Sequence, residues 1–217
     1  MRNKTLTFAA FLLTGTLFFA GCGQASSANA GGSDNASAAA TETSETDSSS
    51  QADAAGTGAS LAQTDIVDDG VFSSLSTTDL DGNTIDASTF SENKLTLVNA
   101  WNIGCTPCIN ELPALEQLSS EYAGKGVAIK GLYFNFAEDI SDDEMSQIND
   151  ALATANATYP QLVLTKEMYD TDTMQGVMAF PTTFIVDSNG NIIDKLEGSN
   201  DYDEWKEIIE KYLAQVQ

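Results

Sequence analysis

The chain has 217 residues, with 9 Lys and Arg against 32 Asp and Glu, and a formal net charge of −23. A surface this acidic repels phosphate backbones and anionic headgroups, which excludes nucleic-acid binding. The chain holds no His, which removes His-based acid–base catalysis, Ser-His-Asp and Cys-His pairs and most metal sites.

The N-terminus reads as a targeting segment. Met1-Arg-Asn-Lys4 is basic, and Thr5 to Ala20 is an apolar run closed by small residues. That run is shorter than the ~20 residues a spanning helix needs. It ends Phe19-Ala20-Gly21-Cys22, which resembles a bacterial lipoprotein signal, with Phe19 where Leu is usual. The resemblance implies a signal peptide over residues 1–21 and a lipidated Cys22. Diacylglycerol brings two acyl chains, enough for stable membrane anchoring.

Residues 23–60 are almost all Ala, Ser, Gly and Thr, with a few acidic and amide side chains and no aromatic, Leu, Ile, Val, Lys or Arg. Such a composition cannot bury enough apolar surface to offset ordering entropy. Residues 22–65 are therefore expected to form a disordered acidic tether with a reach of roughly 35–40 Å. Residues 66–217 are expected to form one α/β domain. That length supports a single sizeable core, and its chain contains no Arg, since Arg2 is the only one.

Within this domain, Val71 to Leu75 and Thr84-Ile85 flank the turn Asp81-Gly82-Asn83, an expected N-terminal hairpin. Leu95 to Trp101 is an apolar run of buried-strand type. Ile109, Leu112, Leu115, Leu118 and Tyr122 recur at helical spacing, ended by Gly124 and Gly126. Val127 to Phe136 reads as a strand, 141–155 as a helix, and Leu162 to Leu164 as a short strand. Phe184 to Val186 and Ile192-Ile193 flank Asp187-Ser-Asn-Gly190, a second hairpin. Trp205, Ile208, Ile209, Tyr212 and Leu213 form the apolar stripe of a last helix, with Asp201 and Glu204 as its capping pair. Helices between strands predict a sheet covered on both faces.

Cys105-Thr106-Pro107-Cys108 falls between the strand ending at Trp101 and the following helix. Two Cys at i and i+3 on a helical turn can reach disulfide distance, and the first sits where free backbone N–H groups and the helix dipole stabilise a thiolate. Pro107 suits a first helical turn. On this reading Cys105 attacks and Cys108 resolves the mixed disulfide. Three other readings fit less well. A zinc site lacks a second Cys pair and any His. A purely structural bridge across two residues closes too small a loop to stabilise much. A peroxide-reducing Cys usually works beside an Arg, which the domain lacks.

These motifs resemble the thioredoxin superfamily, specifically its membrane-anchored TlpA/ResA-like branch, over roughly residues 70–215. Val98-Asn-Ala-Trp-Asn-Ile-Gly-Cys-Thr-Pro-Cys108 is similar to V-N-F-W-A-x-W-C-x-x-C, Glu111-Leu-Pro113 to E-x-P, and Phe180-Pro-Thr-Thr-Phe184 with Asp187 to Gly190 to P-T-T-F-x-x-D-x-x-G. The resemblance implies a thioredoxin-like fold with a central mixed sheet flanked by helices, and a central insertion around 138–170. It also implies a cis peptide before Pro181 facing the Cys pair. Glu111, three residues past Cys108 on the same helix face, becomes a candidate catalytic carboxylate that relays protons near the resolving thiol and, when ionised, raises thiol pKa values; the alternative is a solvated helix residue. Trp101, Gly104, Thr106, Pro107, Phe180 and Pro181 become candidate client-binding residues. Gly104 stands where the family usually has Trp, which opens the rim of the site.

The resulting expectation is an extracytoplasmic, lipid-anchored thiol–disulfide oxidoreductase. It would reduce disulfides of exported client proteins and draw electrons from a membrane thiol donor protein. Neither a metal nor a bound cofactor is expected, the redox-active pair being Cys105–Cys108. The alternative is a tethered, non-catalytic client-binding or chaperone-like module.

Overall fold

The computed structural model describes residues 66–216. The expected signal peptide, Cys22 and the tether lie outside the described residues. No helix among the described residues is long and apolar enough to cross a membrane.

An antiparallel hairpin opens the domain, β1 (Ser76–Thr78) with β2 (Thr84–Asp86). Its first arm lies later than the apolar stretch Val71–Leu75 suggested. Ser74 N–H instead bonds back to Gly70 C=O, a turn that drives Val71, Phe72 and Leu75 into the core. A short α1 (Ser88–Ser91) follows and buries Phe90.

The main sheet has five strands in the order β5 (Gln161–Leu164), β4 (Val127–Phe136), β3 (Leu95–Trp101), β6 (Thr182–Asp187) and β7 (Ile192–Glu197). β3 runs parallel to β4 and antiparallel to β6, so the sheet is mixed, as expected. Every residue of β3 is buried. A central strand covered on both faces needs no polar alternation, which is why its sequence reads as an apolar run.

The faces are covered by different elements. α2 (Thr106–Tyr122) and α6 (Tyr202–Leu213) pack on one face around Leu97, Leu112, Leu115, Ile129, Trp205 and Ile209. The other core joins Phe72, Phe90, Val98, Leu132, Leu162 and Phe184, with Phe72 edge-on to Phe90 and Phe184. Between β4 and β6 lie a 3-10 turn (Ala137–Asp139), α3 (Asp142–Ala155), β5, α4 (Lys166–Tyr169) and α5 (Asp172–Gln175), which include the expected insertion. α6 starts with the complete Asp201–Glu204 capping box.

Candidate active site

β3 ends at Trp101 and α2 begins at Thr106, so the intervening loop delivers Cys105 to the α2 N-cap position. Cys105 and Cys108 form a disulfide. The Cys105 sulfur also accepts the Cys108 backbone N–H at 3.2 Å, using one of the donors a helix start leaves free. Cys108 is fully buried, whereas Cys105 is half-buried. Gly104, Thr106 and Pro107 are exposed around it, so only Cys105 faces an open rim.

α2 continues through Pro113 and carries Glu111 inward. Glu111 is only 3 % exposed. Its Oε1 accepts from Asn99 Nδ2 at 2.9 Å, and its Oε2 accepts from Asn200 N at 3.3 Å and Trp205 Nε1 at 3.2 Å. Burial pushes its pKa from 4.5 up to about 7, against the pull of those donors. Desolvation penalises the carboxylate more than the three bonds reward it. Near neutrality Glu111 is therefore divided between acid and anion, and at 3 % exposure it is not the solvated helix residue of the alternative reading. One edge of it lines an open depression bounded by Pro107, Pro113, Asn200 and Tyr202.

Asn99 lies directly opposite Thr183 in the β3–β6 ladder, and its Nδ2 also donates to Thr183 Oγ1 at 3.0 Å. The second Thr of the Pro-Thr-Thr motif therefore orients the amide that holds Glu111. Asn99, Thr183, Asn200 and Trp205 were not singled out from sequence as site residues. Asn99, a lone amide inside a buried apolar run, was the available signal.

Phe180–Pro181 is a cis peptide bond, as the resemblance implied. It precedes Thr182, which pairs with Ala100, the neighbour of Trp101. The 180–181 segment thus sits at the end of the sheet where the Cys105 loop begins. Phe180 is half-buried, 5.1 Å from the Phe134 ring, and packs against the same core cluster as Cys105. Pro181 C=O accepts from Gly198 N. Among the described residues, neither the N–H nor the C=O of Phe180 has a backbone partner.

Trp101 requires a correction. Expected at the client groove, it is fully buried. Its indole N–H donates to Gln161 Oε1 at 2.9 Å and its ring meets Tyr133 edge-on at 5.1 Å. A side chain with its polar atom satisfied inside the core has nothing left to offer a client.

A mixed sheet flanked by helices, with a Cys-x-x-Cys pair at a helix start and a cis-proline at the same end, is a thioredoxin-like arrangement. The family model described as Redoxin matches residues 56–210, and the chain belongs to that family. It is 36 % identical to "Thioredoxin-like protein YneN" of Bacillus subtilis over 104 residues, 48 % of this chain and 56 % of that protein. It thus aligns with little more than half the length of that relative. It is 27 % identical to "Thiol-disulfide oxidoreductase ResA" of Bacillus cereus over 139 residues, 64 % of this chain and 72 % of that one. Among solved structures, a thiol:disulfide interchange protein of Chlorobium tepidum matches with a TM-score of 0.53 at 22 % identity. That match covers 64 % of this chain and 92 % of the other, and at that identity it speaks for the fold alone.

Proposed function

We propose that this protein is a lipid-anchored, extracytoplasmic thiol–disulfide oxidoreductase that reduces disulfides in exported client proteins. The observation that carries this reading is the bonded pair itself, with a half-buried Cys105 at a helix start and a fully buried Cys108 behind it. In the reduced protein the Cys105 thiolate attacks one client sulfur, and the client's other sulfur leaves as a thiolate. Cys108 loses its proton and attacks Cys105, freeing the first client sulfur and closing Cys105–Cys108. A membrane dithiol donor then returns two electrons by the same exchange in reverse.

Two neighbours support these steps. Glu111 lies one turn beyond Cys108 on α2 and has a pKa of about 7, suited to taking and returning the Cys108 proton at neutral pH. The unpartnered Phe180 backbone offers an extended client strand hydrogen bonds beside Cys105. Gly104, Thr106 and Pro107 form the exposed rim on which that client would rest.

The anchor rests on the sequence from Met1 to Cys22 and the location on the resemblance, while the exchange activity rests further on relatives named as thiol-disulfide oxidoreductases. The test is insulin disulfide reduction with dithiothreitol as electron source. The wild type accelerates it and Cys105→Ser does not. Equal rates would leave the non-catalytic client-binding module instead. Cys22→Ala should move the protein from the membrane to the soluble fraction, and unchanged fractionation would remove the lipid anchor.

A further inference from the structure

Asn102, Ile103 and Gly104 carry the chain from the buried end of β3 at Trp101 to Cys105. They make one turn. Cys105 N–H donates to Asn102 C=O at 3.1 Å, the bond that closes a β-turn, and Gly104 N–H donates to Asn102 Oδ1 at 3.0 Å. Asn suits this first turn position because its side-chain oxygen reaches the N–H two residues on. Asn102 thus holds the last two backbone donors before α2. The Cys105 sulfur then accepts from Cys108 N–H at 3.2 Å, so the turn sets where that sulfur enters the helix start.

Residue 104 meets the same side-chain oxygen. A Cβ built at Gly104 would stand 3.3 Å from Asn102 Oδ1, so the oxygen would have to give by a few tenths of an ångström. It is held in place by the Gly104 N–H itself. Gly104 is not among the glycines with positive φ, so its backbone would accept Ala and only the contact with Asn102 opposes a side chain there. Asn102 is half-buried and Gly104 is exposed beside Cys105.

We infer that Asn102 is a positioning residue that seats the attacking Cys105 sulfur at the start of α2, and that its hold depends on residue 104 having no side chain. This rests on the exchange activity proposed above. Sulfur exchange needs three sulfurs nearly in line, and a misplacement of about 1 Å can cost up to about a hundredfold in rate. Asn102→Ala keeps the backbone bond that closes the turn but frees the Gly104 N–H, so the turn loosens and the sulfur spreads over more than one position. With that bond gone, a Cβ at residue 104 has nothing left to disturb.

The experiment uses the reduced full chain in detergent, as wild type, Asn102→Ala, Gly104→Ala and the double variant. It measures the rate of exchange with oxidised glutathione, iodoacetamide alkylation of the Cys105 peptide as a function of pH, and the thermal midpoint. Asn102→Ala should slow exchange about fivefold and move the alkylation profile to higher pH, because a sulfur off the helix start loses the Cys108 N–H. Gly104→Ala should slow exchange about twofold in wild type and leave the rate of Asn102→Ala unchanged. Asn102→Ser, whose hydroxyl makes the same turn bond more weakly, should fall between wild type and Asn102→Ala. A wild-type rate and alkylation profile in Asn102→Ala, even with a lowered midpoint, would overturn the inference. A wild-type rate in Gly104→Ala, or losses that multiply in the double variant, would overturn the dependence of Asn102 on residue 104. If Asn102→Ala does not fold, Asn102→Ser and Gly104→Ala decide. A wild type that fails to exchange defeats the proposed activity, whereas the alkylation profile still reports where the Cys105 sulfur sits.

Discussion

Glu111 on α2 accepts the indole N–H of Trp205 on α6 at 3.2 Å. The helix that carries the redox pair is therefore joined to the C-terminal helix through a titratable group. Asn99, whose amide also donates to Thr183, approaches the same carboxyl group from the sheet. Its protonation is thus felt by two helices and by β3, the strand that leads to Cys105.

That burial predicts a pH dependence of stability. The folded pKa of Glu111 is raised from 4.5 to about 7, so between those values the folded state holds a proton the unfolded state has released. Stability then falls as pH rises through this window and levels off above it. The full effect is at most about 3 kcal/mol. With no His in the chain, few other groups titrate there. Urea midpoints of the oxidised protein should fall from about pH 5 to about pH 8 in wild type and stay nearly flat in Glu111→Gln. Parallel slopes would show that Glu111 does not carry the effect. In the reduced variant, at least one thiol should titrate lower, because a charge that opposes the thiolate is gone.

Trp205→Phe keeps the ring packing but removes one of the donors to Glu111. An unmet buried acceptor costs about 1–3 kcal/mol. The lost donor was holding the Glu111 pKa down, so the pKa should rise further. Denaturation should show both effects, a lower midpoint and a descending limb displaced to higher pH. A midpoint change with no displacement would mean the bond does not bias protonation.

How much of this was legible follows particular residues. β3 and the β6–β7 hairpin were visible because an unbroken apolar run and an Asp-Ser-Asn-Gly turn are local signals. Asp187 indeed accepts from Asn189 N and Asn191 N. The first arm of β1 was misplaced because Ser76-Thr-Thr78 carries no apolar alternation, only Thr77 being buried. The Cys pair declares itself by spacing. The state of Glu111 does not, since its partners come from residues 99, 200 and 205. Trp101 was expected at the groove because nothing local tells which face of a fully buried strand end reaches the surface.

Unequal access predicts unequal trapping. Of the two bonded cysteines only Cys105 is partly exposed, so a client can form a mixed disulfide with it and not with Cys108. Cys108→Ser should accumulate mixed disulfides with exported proteins, seen as bands lost on reduction. Cys105→Ser should show none. The reverse pattern would assign attack to Cys108.

Gly131 tests how Trp101 is held. A Cβ built at Gly131 would stand 1.8 Å from Gln161 Oε1 and 2.6 Å from its Cδ, so the Gln161 side chain occupies the space any other residue would fill. That same Oε1 accepts the Trp101 indole N–H, and Gln161 Nε2 donates to Tyr159 C=O at 3.1 Å. Gly131→Ala cannot keep both bonds, because Gln161 is buried and has no solvent to turn into. The variant should lose about 1–3 kcal/mol through overpacking, plus about 1–3 kcal/mol for the unpaired indole N–H. Trp101 stands immediately before the Cys105 loop, so exchange should slow as well. Gly131→Ala combined with Gln161→Ala removes the clash but not the orphaned indole. The double variant should therefore be more stable than the sum of the two single losses predicts. Thermal or urea denaturation of the four proteins measures that coupling. Strictly additive losses would show that Gly131 is glycine for a reason other than the close approach of Gln161.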